Sequence, residues 1–111
     1  MRLLLILISP AETLGFQTAI KLAEAALRRG HEITIFGTGD GVENLKKNSS
    51  NPLAQPLKRL IEARVRLLVC RESTRSRGFS ADDGLMEGVE MSSLAEMVEL
   101  MDSCDKTLVF G

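Results

Sequence analysis

Leu3-Leu4-Leu5-Ile6-Leu7-Ile8 runs directly into Ser9-Pro10-Ala11-Glu12, and this junction decides the fold class. A continuous aliphatic run has no polar face to turn toward water, so a strand over residues 3–8 must be covered on both sides. The Ser-Pro-x-Glu step predicts a helix start, with Ser9 as N-cap, Pro10 at the first helical position and Glu12 closing a capping box. Phe16, Ile20, Ala23 and Leu27 then recur at helical spacing, and Arg28-Arg29-Gly30 reads as a helix C-terminus. The opening nine residues share the apolar character of a signal peptide. They lack a small-x-small cleavage site, however, and Glu12 follows at once, so a buried strand is the reading adopted.

The same alternation continues along the chain. Residues 31–36 alternate and are β-branched, giving a second strand, and Asp40 is placed to cap a short helix through Val42 and Leu45. Residues 48–52 form a polar loop. Leu53, Leu57, Leu60 and Ile61 fit one helical face, with regular helix expected only from Pro56. Residues 65–69 form a third strand that ends at Cys70. Gly78 breaks the next segment, and residues 80–83 look like another helix start. Residues 88–91 suit a short fourth strand. Ser93 and Glu96 repeat the capping-box pattern ahead of a face made by Leu94, Met97, Val98 and Met101, and residues 107–110 close with a fifth strand. Strands that alternate with helices imply a mainly parallel sheet of about five strands in a doubly wound, three-layer α/β/α domain spanning residues 1–111.

Composition narrows the function classes. The 111 residues carry a net charge of −1, so no global field recruits nucleic acid, and with no Trp or Tyr and only four Phe there is little on which to stack bases. No stretch approaches a membrane span. The two cysteines, Cys70 and Cys104, form neither a disulfide framework nor a paired metal motif, which places the chain in a reducing, cytoplasmic setting. Charge is unevenly spread. Residues 56–79 hold seven basic side chains against Glu62 and Glu72, and residues 80–105 hold eight acidic ones and no base. Such runs usually mark solvated faces. The sharper reading is a basic surround for Cys70 and an acidic surface for a partner or a neighbouring subunit.

In open parallel sheets, function gathers where strands end and helices begin. Cys70 stands at such a point, close in sequence to Arg71, Arg75 and Arg77. A helix N-terminus and nearby cations both favour thiolate, the reactive form. The structural alternative is a buried core cysteine, but a core cysteine belongs within the apolar run rather than at its exit. The loop at residues 37–41 is glycine-rich, yet it is neither a dinucleotide fingerprint nor a P-loop, and Asp40 would repel phosphate. A tight turn with an Asp cap is the better reading. His31, the only histidine, and Cys104, between Asp102 and Asp105, read as structural. Asp82-Asp83 lacks the third ligand a metal site needs.

The stretch from Cys70 through Arg77-Gly78-Phe79 has the pattern C-x6-R-G, and it resembles the motif of the DsrE/DsrF-like (TusD-like) sulfur-relay family. Gly30-His31, Gly39-Asp40-Gly41-Val42, Ser80-Ala81-Asp82-Asp83, Glu87-Gly88-Val89-Glu90 and Asp105-Lys106-Thr107-Leu108-Val109-Phe110 fit that family in order and spacing, so the resemblance covers nearly the whole chain. It implies a trimer or hexamer, homomeric or heteromeric. It also implies a sulfurtransferase-like carrier in which Cys70 accepts a sulfane sulfur as a persulfide from a donor protein and passes it to an acceptor protein. Arg71, Arg75, Arg77 and Gly78 are then expected to shape the loop and stabilise the thiolate. No cofactor, metal, nucleic acid or membrane partner is expected. The alternative is a non-catalytic subunit of the same fold that binds a small ligand or nucleotide or serves assembly.

Overall fold

The computed structural model describes residues 1–10, 13–47, 52–79 and 84–111. Five strands, β1 (Arg2–Leu7), β2 (Glu32–Gly37), β3 (Arg66–Cys70), β4 (Val89–Ser92) and β5 (Lys106–Phe110), form one sheet in the order β4-β3-β2-β1-β5. Every neighbouring pair is parallel, with Leu7 level with both Gly37 and Phe110, and Gly37 level with Val69. The unbroken apolar run fits an interior strand: β1 lies between β2 and β5, and Leu3 through Leu7 are all buried.

Helices α1 (Leu14–Arg28) and α2 (Ala54–Glu62) supply the larger core, in which Phe16, Ile20, Leu57 and Leu60 meet Leu5, Ile35 and Leu67. The opposite face carries Leu4, Ile6, Phe36, Leu68 and Cys70, against which Met97, Leu100 and Cys104 pack from α4 (Leu94–Ser103) and its end. The fold is therefore the doubly wound α/β sheet that the alternation predicts, with one face covered much more thinly than the other. The face expected on α4 is corrected accordingly. Leu94, Val98 and Met101 are exposed, and the helix has no buried residue. The apolar residues of this helix span an arc wider than its contact with the sheet, so periodicity alone could not choose which part of the arc is covered.

Three helix starts also differ from expectation. The N-cap of α1 is Thr13 rather than Ser9: its hydroxyl donates to the Pro10 carbonyl at 2.7 Å and accepts from the Phe16 N–H at 3.3 Å. The helix therefore starts at Leu14, one turn later than expected; Ala11 and Glu12 lie outside the described residues. The 3-10 helix Gly39–Leu45 is entered from Thr38, so Asp40 sits within its first turn instead of capping it. Helix α2 begins at Ala54, two residues before Pro56, because first-turn N–H groups have no helical partner to lose. The expected helix start at residues 80–83, including Asp82 and Asp83, also falls outside the described residues, as does most of the polar loop at 48–52.

Candidate functional site

Cys70 is the last residue of β3 and the N-cap of α3 (Arg71–Ser76), so the strand delivers its thiol to the C-terminal edge of the sheet. Burial of the residue is nearly complete at 3% exposure. Cys70 lines a crevice of about 340 Å³. Arg71, Glu72 and Arg75 of α3 form one wall, and Ser93, Leu94 and Ala95 at the start of α4 form the other. Leu94 and Ala95 face the crevice because Ser93 caps α4 there, accepting from the Glu96 N–H at 3.1 Å. The Glu96 carboxylate does not complete the capping box; it is held by the Ser92 hydroxyl.

A second cluster lies behind the thiol, where the turn after β2 meets α3. Thr38 follows β2 at the level of Cys70 on β3. Its Oγ1 stands 3.4 Å from Ser73 Oγ, and Ser73 Oγ accepts a hydrogen bond from the Gly39 N–H at 2.9 Å. Arg77 closes this cluster. It donates to Asp40 at 2.8 Å and to the Ser73 carbonyl at 3.1 Å, with Glu43 at 4.0 Å. Gly78 follows at φ +78, a conformation that lets the chain leave the short helix.

These neighbours set the acidity of the thiol. Burial pushes the Cys70 pKa up, but the backbone N–H of Ser73, the hydroxyls of Ser73 and Thr38 and the N–H of Glu72 together bring it below the ordinary thiol value. The sulfur closes no cap hydrogen bond of ordinary length to the α3 turn, so the effect is the combined pull of several nearby donors. Sequence reasoning had pointed to Arg71, Arg75 and Arg77 for this task, and had missed Thr38 and Ser73. Arg77 instead engages the carboxylates of the 3-10 helix, and Arg71 and Arg75 stand exposed on the crevice wall.

The comparisons agree with this architecture. The DsrE/DsrF-like family model matches residues 1–110. The chain belongs to the DsrE/DsrF-like family. It is similar to an uncharacterized protein of Methanopyrus kandleri, MK0008, with 33% identity over 98 residues that cover 84% of this chain and 79% of the relative. The YchN protein of E. coli shares the fold at a TM-score of 0.82 and 23% identity, covering 98% of this chain and 97% of its own. MTH1491 of Methanobacterium thermoautotrophicum, a protein of unknown function, shares it at a TM-score of 0.80 and 18% identity, covering 95% and 96%. Membership in this family is consistent with a place in sulfur relay.

The other candidates sit apart from Cys70. His31 is half-buried at the opposite edge of the sheet, where its Nδ1 meets the amino group of Met1 at 2.9 Å. Cys104 is the C-cap of α4, just before β5, whose first residue Lys106 is level with Leu3. At about 3.3 Å per residue, the climb from Leu3 to the level of Cys70 is roughly 16 Å, so the two thiols cannot pair without refolding. The glycine-rich turn is used for packing: a Cβ on Gly41 would lie 1.8 Å from the Leu7 carbonyl oxygen. Among the described residues no three metal-binding side chains cluster, and no helix is long and apolar enough to cross a membrane.

Proposed function

We propose that this chain is a sulfane-sulfur carrier that takes up, holds and surrenders one sulfur atom as a persulfide on Cys70. The observation that carries the reading is the setting of that thiol: at a strand exit, opening to a crevice and surrounded by donors that favour its anion. The Cys70 thiolate attacks the outer sulfur of a donor persulfide R–S–SH. A bond forms between the Cys70 sulfur and that outer sulfur, the donor's own S–S bond breaks, and R–S⁻ leaves. The proton on the outer sulfur travels with it, and nothing is oxidised or reduced overall. Delivery is the same exchange run toward an acceptor thiolate, with Cys70 as the leaving group. The Thr38 and Ser73 hydroxyls suit both roles, since they stabilise an anionic sulfur before attack and after departure. Arg77 and Gly78 shape the loop that holds those hydroxyls in place.

The carrier acts in a reducing cytoplasm, with both cysteines free, and works as an oligomer. The exposed face of α4 supports assembly, since Leu94, Val98 and Met101 form one stripe at helical spacing. Val109 extends the apolar surface along edge strand β5 and is 60% exposed.

Wild type and Cys70→Ser, each treated with a persulfide donor and weighed intact before and after mild reductant, test the function. Wild type gains the mass of one sulfur, lost on reduction, and Cys70→Ser does not. Failure of wild type to load from any donor, small or protein-borne, defeats the carrier reading in favour of a non-catalytic binding or assembly subunit.

A further inference from the structure

We propose that the crevice over Cys70 receives a small persulfide that bears its own carboxylate, of the cysteine or glutathione class, with Arg71 and Arg75 binding that carboxylate. This rests on the carrier reading and names the donor that the crevice fits.

Access is the first ground. The Cys70 residue is only 3% exposed, and it is reached through a space of about 340 Å³, near the lower end of the range that takes small ligands. A small persulfide can enter that crevice and bring its outer sulfur to Cys70. A persulfide held against the surface of a folded donor would have to project past both walls.

Charge is the second ground. Arg71 and Arg75 are one helical turn apart, so both guanidinium groups rise from the same wall. Among the described residues Arg71 and Arg75 have no ion pair, as is true of Arg28, Arg29, Arg59 and Arg64; what sets the two apart is that both line the crevice beside Cys70. The anion of Cys70 is already served by the hydroxyls and N–H groups behind it, leaving these two cations for something that enters from the front. Glu72 on the same wall cancels one of the two charges, which suits a ligand with a modest negative charge. The planar fork of arginine matches a carboxylate with paired hydrogen bonds. Leu94 and Ala95 across the crevice offer an apolar surface to the aliphatic part of such a donor.

The test compares donors of different charge on the same thiol. Loading rates are measured with glutathione persulfide and with the persulfide of 2-mercaptoethanol, which bears no carboxylate, for wild type and for the Arg71→Gln/Arg75→Gln double variant. The ratio of the two rate constants cancels any change in Cys70 itself, since one thiolate attacks both donors. Wild type is expected to favour the carboxylate-bearing donor, and the double variant to lose about tenfold of that preference, equivalent to roughly 1.4 kcal/mol. Added salt should shrink the preference in wild type in the same direction, which tests the idea without any variant. Titration of Cys70→Ser with S-methylglutathione gives a readout free of chemistry, and removal of both arginines should weaken that binding. An unchanged ratio in the double variant, or loading from a protein-borne persulfide alone, overturns this proposal while the carrier reading stands. Loading from none of the three donors overturns both.

Discussion

The Ser73 hydroxyl oxygen accepts a hydrogen bond from the Gly39 N–H at 2.9 Å, tying the first turns of α3 to the turn that leaves β2. Because that N–H occupies a lone pair of the oxygen, the hydroxyl proton is free to turn toward a nearby acceptor. Thr38, 3.4 Å away, is placed to do the same. Both hydroxyls stand near the Cys70 thiol and help hold its pKa below the ordinary thiol value.

The first prediction follows from this pair. Alkylation of Cys70 should rise with pH through a midpoint below that of the same cysteine in the denatured chain, because the folded state favours the thiolate. The same shift contributes stability that is present above the unfolded pKa and lost as pH falls through the folded one. Thr38→Val and Ser73→Ala should each move the midpoint up. Iodoacetamide labelling across a pH series, resolved by peptide mapping, measures this. Preferential labelling of Cys104 near neutral pH, or midpoints indifferent to both hydroxyls, would contradict it.

The two glycines flanking this cluster should respond differently to alanine. A Cβ on Gly41 would collide with the Leu7 carbonyl at 1.8 Å, and that carbonyl belongs to an interior strand paired on both sides and cannot yield. Gly78 has φ +78 with open space around it, so alanine there meets only backbone strain. Gly78→Ala should cost roughly 1–2 kcal/mol, whereas Gly41→Ala should cost at least about 4 kcal/mol. Denaturant titration of both variants checks the order, and equal losses would mean that the 3-10 helix does not pack on β1 as described.

Particular residues show how much of this was legible in the sequence. The run Leu3 through Leu7 could only be a doubly covered strand, although Ile8, expected within it, lies just past its end and is 41% exposed; the placement of Cys70 at a strand exit followed from the apolar run before it. Thr38 and Ser73 gave no such signal. Their contact spans 35 residues, and it exists only because parallel pairing brings the ends of β2 and β3 to one edge. The order of strands was the missing information: once β2 and β3 are neighbours, a hydroxyl just past β2 becomes a candidate partner for a thiol at the end of β3. The basic run from Arg71 to Arg77 was visible as charge, but its division of labour was not. Asp40 and Glu43, which claim Arg77, come from a distant turn. For α4, Glu96, Glu99 and Asp102 mark a polar side, but Leu94, Met97, Val98, Leu100 and Met101 spread over an arc wider than the sheet can cover, so which part of that arc meets the sheet could not be inferred.

Assembly makes a third prediction. Val98 is 61% exposed and Met101 44%, on a helix that meets its own sheet through the adjoining face of Met97 and Leu100. Val98→Glu/Met101→Lys should leave the fold intact, since neither side chain is buried, and should weaken self-association at least about tenfold, the equivalent of roughly 1.4 kcal/mol. Sedimentation over a range of concentrations reads this directly. Wild type that stays monomeric at high micromolar concentration, or an assembly untouched by the double substitution, would place the interface elsewhere or nowhere.

The last prediction concerns Arg77, which acts on the thiol only through other residues. Its guanidinium joins Asp40 at 2.8 Å and the Ser73 carbonyl at 3.1 Å, so one side chain holds both partners of the Gly39–Ser73 bond in register. The ion pair is partly solvated, with the Asp40 side chain 61% exposed. Its removal should therefore cost at most about 1 kcal/mol of stability. The effect on Cys70 should be out of proportion to that loss. Arg77→Ala frees the turn carrying Thr38 and Gly39, and the alkylation midpoint should move up toward that of the denatured chain. Arg77→Lys keeps the charge but cannot bridge Asp40 and the Ser73 carbonyl with one planar fork, so it should restore the midpoint only in part. In a double-mutant cycle, Ser73→Ala should abolish most of the effect of Arg77→Ala on the midpoint, because the arginine acts through that hydroxyl. Additive shifts in that cycle would instead make Arg77 a direct electrostatic partner of the thiolate, and no shift at all would reduce it to a surface ion pair.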